Sequence, residues 1–204
     1  MTKVKICGLK ERQHVQAAVE IGADAIGFVF APSKRRVTVE QAQQLVKHVP
    51  NGVLKIGVFV NPSAEELRTA VEGVPLDYVQ YHGEESPEFI SQQGYPAIKA
   101  LSVRGAEDVQ MAANYDVDYY LFDAPGTDFK GGSGHTFDWT LLEMVGIPRE
   151  KLILAGGLQA ENIEEAVSLV SPSMVDVSSG VETDGVKDIA KITAFIQAVK
   201  KGRA

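Results

Sequence analysis

At 204 residues the chain is long enough for one good-sized domain with a substantial core, taken here as residues 1–204. Its 45% hydrophobic and 23% charged residues fit a soluble globular protein, and a net charge of −7 with pI about 5.1 argues against non-specific binding to nucleic acid or anionic membranes. One cysteine excludes an internal disulfide, the N-terminus lacks a signal-peptide run, and no segment approaches the length of a membrane span, so a cytoplasmic chain is expected.

The elements alternate between short apolar runs and amphipathic stretches, eight of each. The predicted strands are Lys3–Cys7, Ala25–Phe30, Leu54–Val60, Tyr78–His82, Ala97–Val103, Tyr119–Asp123, Leu152–Ala155 and Met174–Ser178. They are nearly continuous hydrophobic runs, as strands covered on both faces are. Capping boxes are predicted at Thr38-Val39-Glu40-Gln41 and Ser63-Ala64-Glu65-Glu66. Ser86-Pro87 combines a cap with proline at the first helical position. Gly22 and Gly94 fall where C-terminal caps belong, and Asp138 is predicted to cap a helix carrying Leu141 and Leu142. The last helix places Ile189, Ile192, Ile196 and Val199 on one face.

Strict β-α alternation implies a parallel sheet, and eight units of roughly 25 residues imply an α/β fold closed as a single-domain (β/α)8 TIM barrel. The open doubly wound sheet is the alternative. It usually carries a glycine-rich phosphate motif after its first strand, and Cys7-Gly8-Leu9-Lys10 is no such motif.

Active sites of this barrel form where strands end and the following loops begin. Cys7 ends the first strand; free cysteine is often buried packing, so its position alone leaves chemistry and packing both open. Asp123 ends the sixth strand, either capping the next turn or held there as a general acid whose pKa burial would raise. Ala155-Gly156-Gly157-Leu158 follows the seventh strand and Ser178-Ser179-Gly180 the eighth. Either these glycines make tight turns, or Gly156, Gly157, Ser178, Ser179 and Gly180 cradle a phosphate, with a short helix aiming its positive end at the anion. In Ser33-Lys34-Arg35-Arg36 a guanidinium is placed to hold a substrate carboxylate, the alternative being a solvated turn. His82 and Asp176, on strands four and eight, are candidate substrate-binding or positioning groups. The glycine-rich stretch from Asp128 to Trp139 reads as a lid over the mouth. Histidines at 14, 48, 82 and 135 have no ligand-like spacing, so no metal site is expected.

Taken together, these residues resemble the phosphoribosylanthranilate isomerase family over the whole chain. The segments that carry the likeness are Val4-Lys5-Ile6-Cys7-Gly8, Gly22–Phe30, Gly57–Asn61, Val79–Glu85, Gly131–Trp139, Ala155–Leu158 and Asp176–Glu182. The resemblance implies a cofactor-free Amadori rearrangement in tryptophan biosynthesis, acting on a phosphorylated small-molecule aminoaldose. Asp123 would be the general acid that opens the furanose ring, and Cys7 the general base that removes the C2′ proton. Arg35, in the family's Ser-x-Arg pattern, would bind the anthranilate carboxylate, with Arg36 one residue away as the other reading. No nucleic-acid or membrane partner is expected, and the protein would be a monomer or homodimer.

Two other readings compete with this one. The histidine-pathway isomerase performs the same rearrangement on a substrate with two phosphates, but its pattern calls for an aspartate where this chain has Cys7. A non-catalytic barrel binding a phosphorylated ligand would have no evident need for Cys7 facing Asp123.

Overall fold

The computed structural model describes residues 1–125, 136–144 and 146–201. The strands are β1 (Lys3–Cys7), β2 (Ala25–Val29), β3 (Leu54–Phe59), β4 (Tyr78–Tyr81), β5 (Ala97–Ser102), β6 (Tyr119–Asp123), β7 (Leu152–Leu154) and β8 (Met174–Val177). They pair in sequence order, all parallel, and β8 closes onto β1. Most strands end one residue before the predicted limit, because the barrel ladder stops where the loops turn away. His82, Ala155 and Ser178 therefore sit just beyond their strands.

Seven α-helices follow the strands: α1 (Arg12–Ile21), α2 (Val39–Leu45), α3 (Ala64–Gly73), α4 (Pro87–Gln93), α5 (Ala106–Gln110), α6 (Ile163–Val170) and α7 (Ile189–Lys201). Thr38 and Ser63 close reciprocal capping boxes with Gln41 and Glu66. Ser86 accepts from the Phe89 amide ahead of Pro87, and Gly22 and Gly94 end their helices in the left-handed region. Between β6 and β7 the predicted helix is a 3-10 helix, Trp139–Met144. Asp138 still caps it through the Thr140 amide at 3.0 Å, but Gly146 and Pro148 leave too little chain for α-helical turns.

Side chains alternate across each strand and form two cores. Val4, Ile6, Phe28, Tyr81, Phe122, Leu154 and Val175 point outward under the helices. Ala25, Ile56, Ile98, Leu121, Ile153 and Met174 fill the barrel interior. Burying each large apolar side chain contributes about 1.5–3 kcal/mol against chain entropy. Above this plug the inward positions turn polar: Lys5 and Cys7 on β1, Gln80 on β4, Asp123 on β6 and Asp176 on β8. Among the described residues no helix is long and apolar enough to cross a membrane.

Candidate active site

The polar layer floors a cavity of about 430 Å³ at the C-terminal ends of the strands. Cys7, Arg35, His82, Asp123, Gly156, Gly157, Asp176, Ser178, Ser179 and Gly180 all line it. Arg36 is exposed and is not among the lining residues, so of the two arginines Arg35 faces the cavity. The glycine-rich stretch read as a lid lies largely in residues 126–135, outside the described residues.

Cys7 ends β1 with 7% of its surface exposed. Its register partner on β2 is Gly27, where a Cβ would lie 2.7 Å from Sγ, so the thiol occupies space left by a missing side chain. Burial pushes the Cys7 thiol pKa up, and the nearby charge of Asp176 adds to the rise. Lys5, Lys187 and Arg35 oppose it with three positive charges. The next residue, Gly8, has φ +77, and Arg35 packs where its Cβ would be.

Lys5 and Asp176 are register partners across the β1–β8 seam, which is why their side chains meet inside the barrel. Lys5 is fully buried, and its Nζ donates to Asp176 Oδ2 at 2.9 Å and to Gln80 Oε1 at 2.6 Å. Burial alone would lower the Lys5 pKa; Asp176 and Cys7 overturn that, and it is raised. Gln80 Nε2 lies 3.2 Å from His82 Nδ1, and His82 Nε2 lies 3.4 Å from Asp123 Oδ2. A row of polar side chains thus crosses the floor from β8 to β6, with His82 Nε2 buried and without a hydrogen-bond partner among the described residues. Asp176 Oδ1 is buried without a hydrogen-bond partner among the described residues.

Behind this row, Glu85 accepts from both the Gly83 amide and buried Lys99, the latter at 2.9 Å. That pair braces the turn that follows His82.

Arg35 does not point freely into the cavity. Its Nε and Nη2 donate to Glu182 at 2.6 and 2.9 Å. Glu182 also accepts from Lys187 at 2.7 Å. Glu182 and Lys187 face each other because β9 (Glu182–Thr183) and β10 (Val186–Lys187) form a hairpin. Asp184 and Gly185, at φ +51 and +78, make its two-residue turn. Burial alone would raise the Glu182 pKa; hydrogen bonds from Arg35 and the charge of Lys187 hold it at about 2 instead.

Loops 7 and 8 meet beside the row. Gly156 has φ +84, and a Cβ there would strike the Ala124 backbone amide; at Gly180 a Cβ would strike the Leu158 carbonyl. Ser178 Oγ donates to the Cys7 carbonyl at 3.2 Å, tying this wall to the end of β1. The short helix at this corner is of 3-10 type. Ser179–Val181 is a single 3-10 turn whose first residues line the cavity, whereas α6 begins only at Ile163.

A sequence model of the N-(5′-phosphoribosyl)anthranilate isomerase family matches residues 4–198. The chain belongs to this family. The isomerase of Listeria monocytogenes is 51% identical over 197 residues, covering 97% of this chain and 98% of that protein. The isomerase of Bacillus cereus is 50% identical over 200 residues, covering 98% of each. Among solved structures, the Thermotoga maritima isomerase superposes with TM-score 0.89 at 39% identity, covering 98% of this chain and all of that one. A family structure in complex with reduced 1-(o-carboxyphenylamino)-1-deoxyribulose 5-phosphate superposes with TM-score 0.87 at 38% identity, with the same coverage. The family's reaction is the aldose–ketose isomerisation step of tryptophan biosynthesis, and that is the activity of this chain.

Within this isomerase, sequence reasoning missed Lys5, Gln80, Glu182 and Lys187 as parts of the site. Two signals were present. Asp184-Gly185 between short β-prone pairs is a hairpin signature, and it brings Glu182 opposite Lys187. Lys5 and Gln80 occupy inward positions of otherwise apolar strands, where a polar group needs a partner. Among the described residues no group of histidine, cysteine and carboxylate side chains is placed to hold a metal ion.

Proposed function

We propose that the 430 Å³ cavity of this single domain converts N-(5′-phosphoribosyl)anthranilate to the 1-deoxyribulose 5-phosphate product, with Asp123 as general acid and Cys7 as general base. Asp123 donates its proton to the furanose ring oxygen, the C1′–O bond breaks, and an imine forms. Cys7 as thiolate takes the C2′ proton, leaving an enolamine that becomes the ketone. What carries this reading is that a buried thiol and a buried carboxyl line one cavity whose rim holds an arginine and a glycine-serine corner.

The remaining groups fit the parts of that substrate. Gly156, Gly157, Ser178, Ser179 and Gly180 receive the phosphate on loop backbone and hydroxyls. Glu182 occupies the Nε–Nη2 edge of Arg35, which leaves the opposite edge of the guanidinium to the anthranilate carboxylate. Asp176 Oδ1 offers a buried acceptor to a sugar hydroxyl. The three cations around Cys7 favour the thiolate that proton abstraction needs, against a burial effect that favours the thiol. A biosynthetic enzyme whose single cysteine works reduced belongs in the cytoplasm.

Cys7→Ala and Asp123→Asn are expected each to lower kcat by about 10²-fold or more with the unfolding midpoint little changed, as measured by loss of substrate fluorescence and by urea denaturation. Turnover by Cys7→Ala at the parent rate would show that the base is another group.

A further inference from the structure

We infer that Lys5, acting through Gln80, fixes the tautomer of His82 and so keeps the acidic proton of Asp123 facing the substrate. This rests on the reading of Asp123 as the general acid.

The Lys5 ammonium has protons to give and no lone pair to accept with. Lys5 Nζ lies 2.6 Å from one end of the Gln80 amide. That end must be the oxygen, since an NH2 would set donor against donor. The other end of the amide is then an N–H donor, and it lies 3.2 Å from His82 Nδ1. A donor aimed at Nδ1 requires a bare nitrogen there, so the ring carries its proton on Nε2. Nε2 is buried and has no hydrogen-bond partner among the described residues; it lies 3.4 Å from Asp123 Oδ2. That separation is long for a hydrogen bond, as catalytic contacts often are before substrate closes them.

The consequence falls on Asp123. With Nε2–H as a donor, Oδ2 of the carboxyl is the acceptor, and the carboxylic proton belongs on Oδ1. Oδ1 faces the loop 7 wall, where a Cβ added at Gly156 would come within 2.9 Å of it. With the opposite tautomer, Nε2 would present its lone pair to Asp123. The acid proton would then be drawn into a carboxyl–imidazole bond and away from the ring oxygen. The row transmits orientation and not protons, because an amide passes a proton only by becoming an imidic acid. Lys5 also sits one inward position before Cys7 on β1, so one buried cation organises both ends of the site.

The test is Gln80→Glu, which keeps an oxygen for Lys5 and replaces the donor facing Nδ1 with an acceptor. In protein labelled with ¹⁵N-histidine, with His82 assigned by its absence in His82→Asn, the parent should show a bare Nδ1 and a protonated Nε2. Gln80→Glu should move the proton to Nδ1 and lower kcat about 10²-fold, with KM within about twofold. Lys5→Met, where the amide is free to turn, should give both tautomers; if that variant does not fold, Gln80→Glu decides alone. A parent ring protonated on Nδ1 overturns the inference, as does a flipped tautomer in Gln80→Glu with kcat unchanged. An unchanged kcat in Asp123→Asn instead overturns the acid reading and leaves the tautomer assignment standing, so the two failures are separable.

Discussion

Glu182 shows how much one carboxylate settles in this site. It holds Arg35 by two hydrogen bonds and Lys187 by a third, with 5% of its side chain exposed. Removing one partner of a buried pair typically costs about 3–5 kcal/mol, because the other charges stay buried without compensation. Glu182→Ala should therefore lower stability by about that amount at neutral pH, and raise KM by loosening Arg35. The pH dependence has a definite sign. The folded pKa of about 2 lies below the ordinary 4.5, so the stability Glu182 contributes is present above about pH 5 and is lost as pH falls toward 2. The gap between parent and Glu182→Ala should narrow over that window. Parallel curves of urea-derived stability against pH would show that Glu182 is not the group that titrates.

At the scale of elements, the chain separates parts that hold the barrel from parts that do chemistry. Ser63 caps α3 through a reciprocal pair with Glu66, and it is not among the cavity-lining residues. Ser63→Ala should cost about 1 kcal/mol in urea unfolding with kcat and KM unchanged. A change in kcat would mean that the β3–α3 loop shapes the site. The β9–β10 hairpin is the opposite case. Its two-residue strands add little by pairing alone, and its part is to carry Glu182 and Lys187 to the rim, where their ion pairs form. The same division explains the segment after β6. Leu142 packs into the core as its apolar pattern predicts, while the intervening turns need only be short and become 3-10 helix.

For the whole molecule, binding and folding are linked, since the cavity is assembled from all parts of the barrel and does not exist in the unfolded chain. A phosphorylated product analogue at 100 times its Kd should raise the unfolding free energy by about 2.7 kcal/mol. Gly180→Ala, which forces the Leu158 carbonyl to move, should need a much higher concentration for the same gain. Urea melts at graded analogue concentration would measure both. No stabilisation of the parent would mean that the cavity does not hold this ligand.

The eight strands, their order and ten of the residues that line the cavity were legible in the sequence because each rests on local pattern: apolar runs, caps, glycine pairs, a polar residue at a strand end. A barrel with strands in sequence order then brings all strand ends to one mouth, whatever the loops do. The pairing of Lys5 with Gln80, 75 residues apart, and of Arg35 with Glu182, 147 apart, was not legible. A lysine inside an apolar strand signals that Lys5 needs a partner, but which residue that is follows only from how the barrel closes. Arg35 and Arg36 are likewise neighbours of one type, separated only by the side of the loop each leaves. The sequence by itself determined which chemical groups reach the mouth. The register of β8 on β1 and the turn of the β9–β10 hairpin decided which of them touch, because contact between distant residues depends on ring closure, which no local pattern encodes.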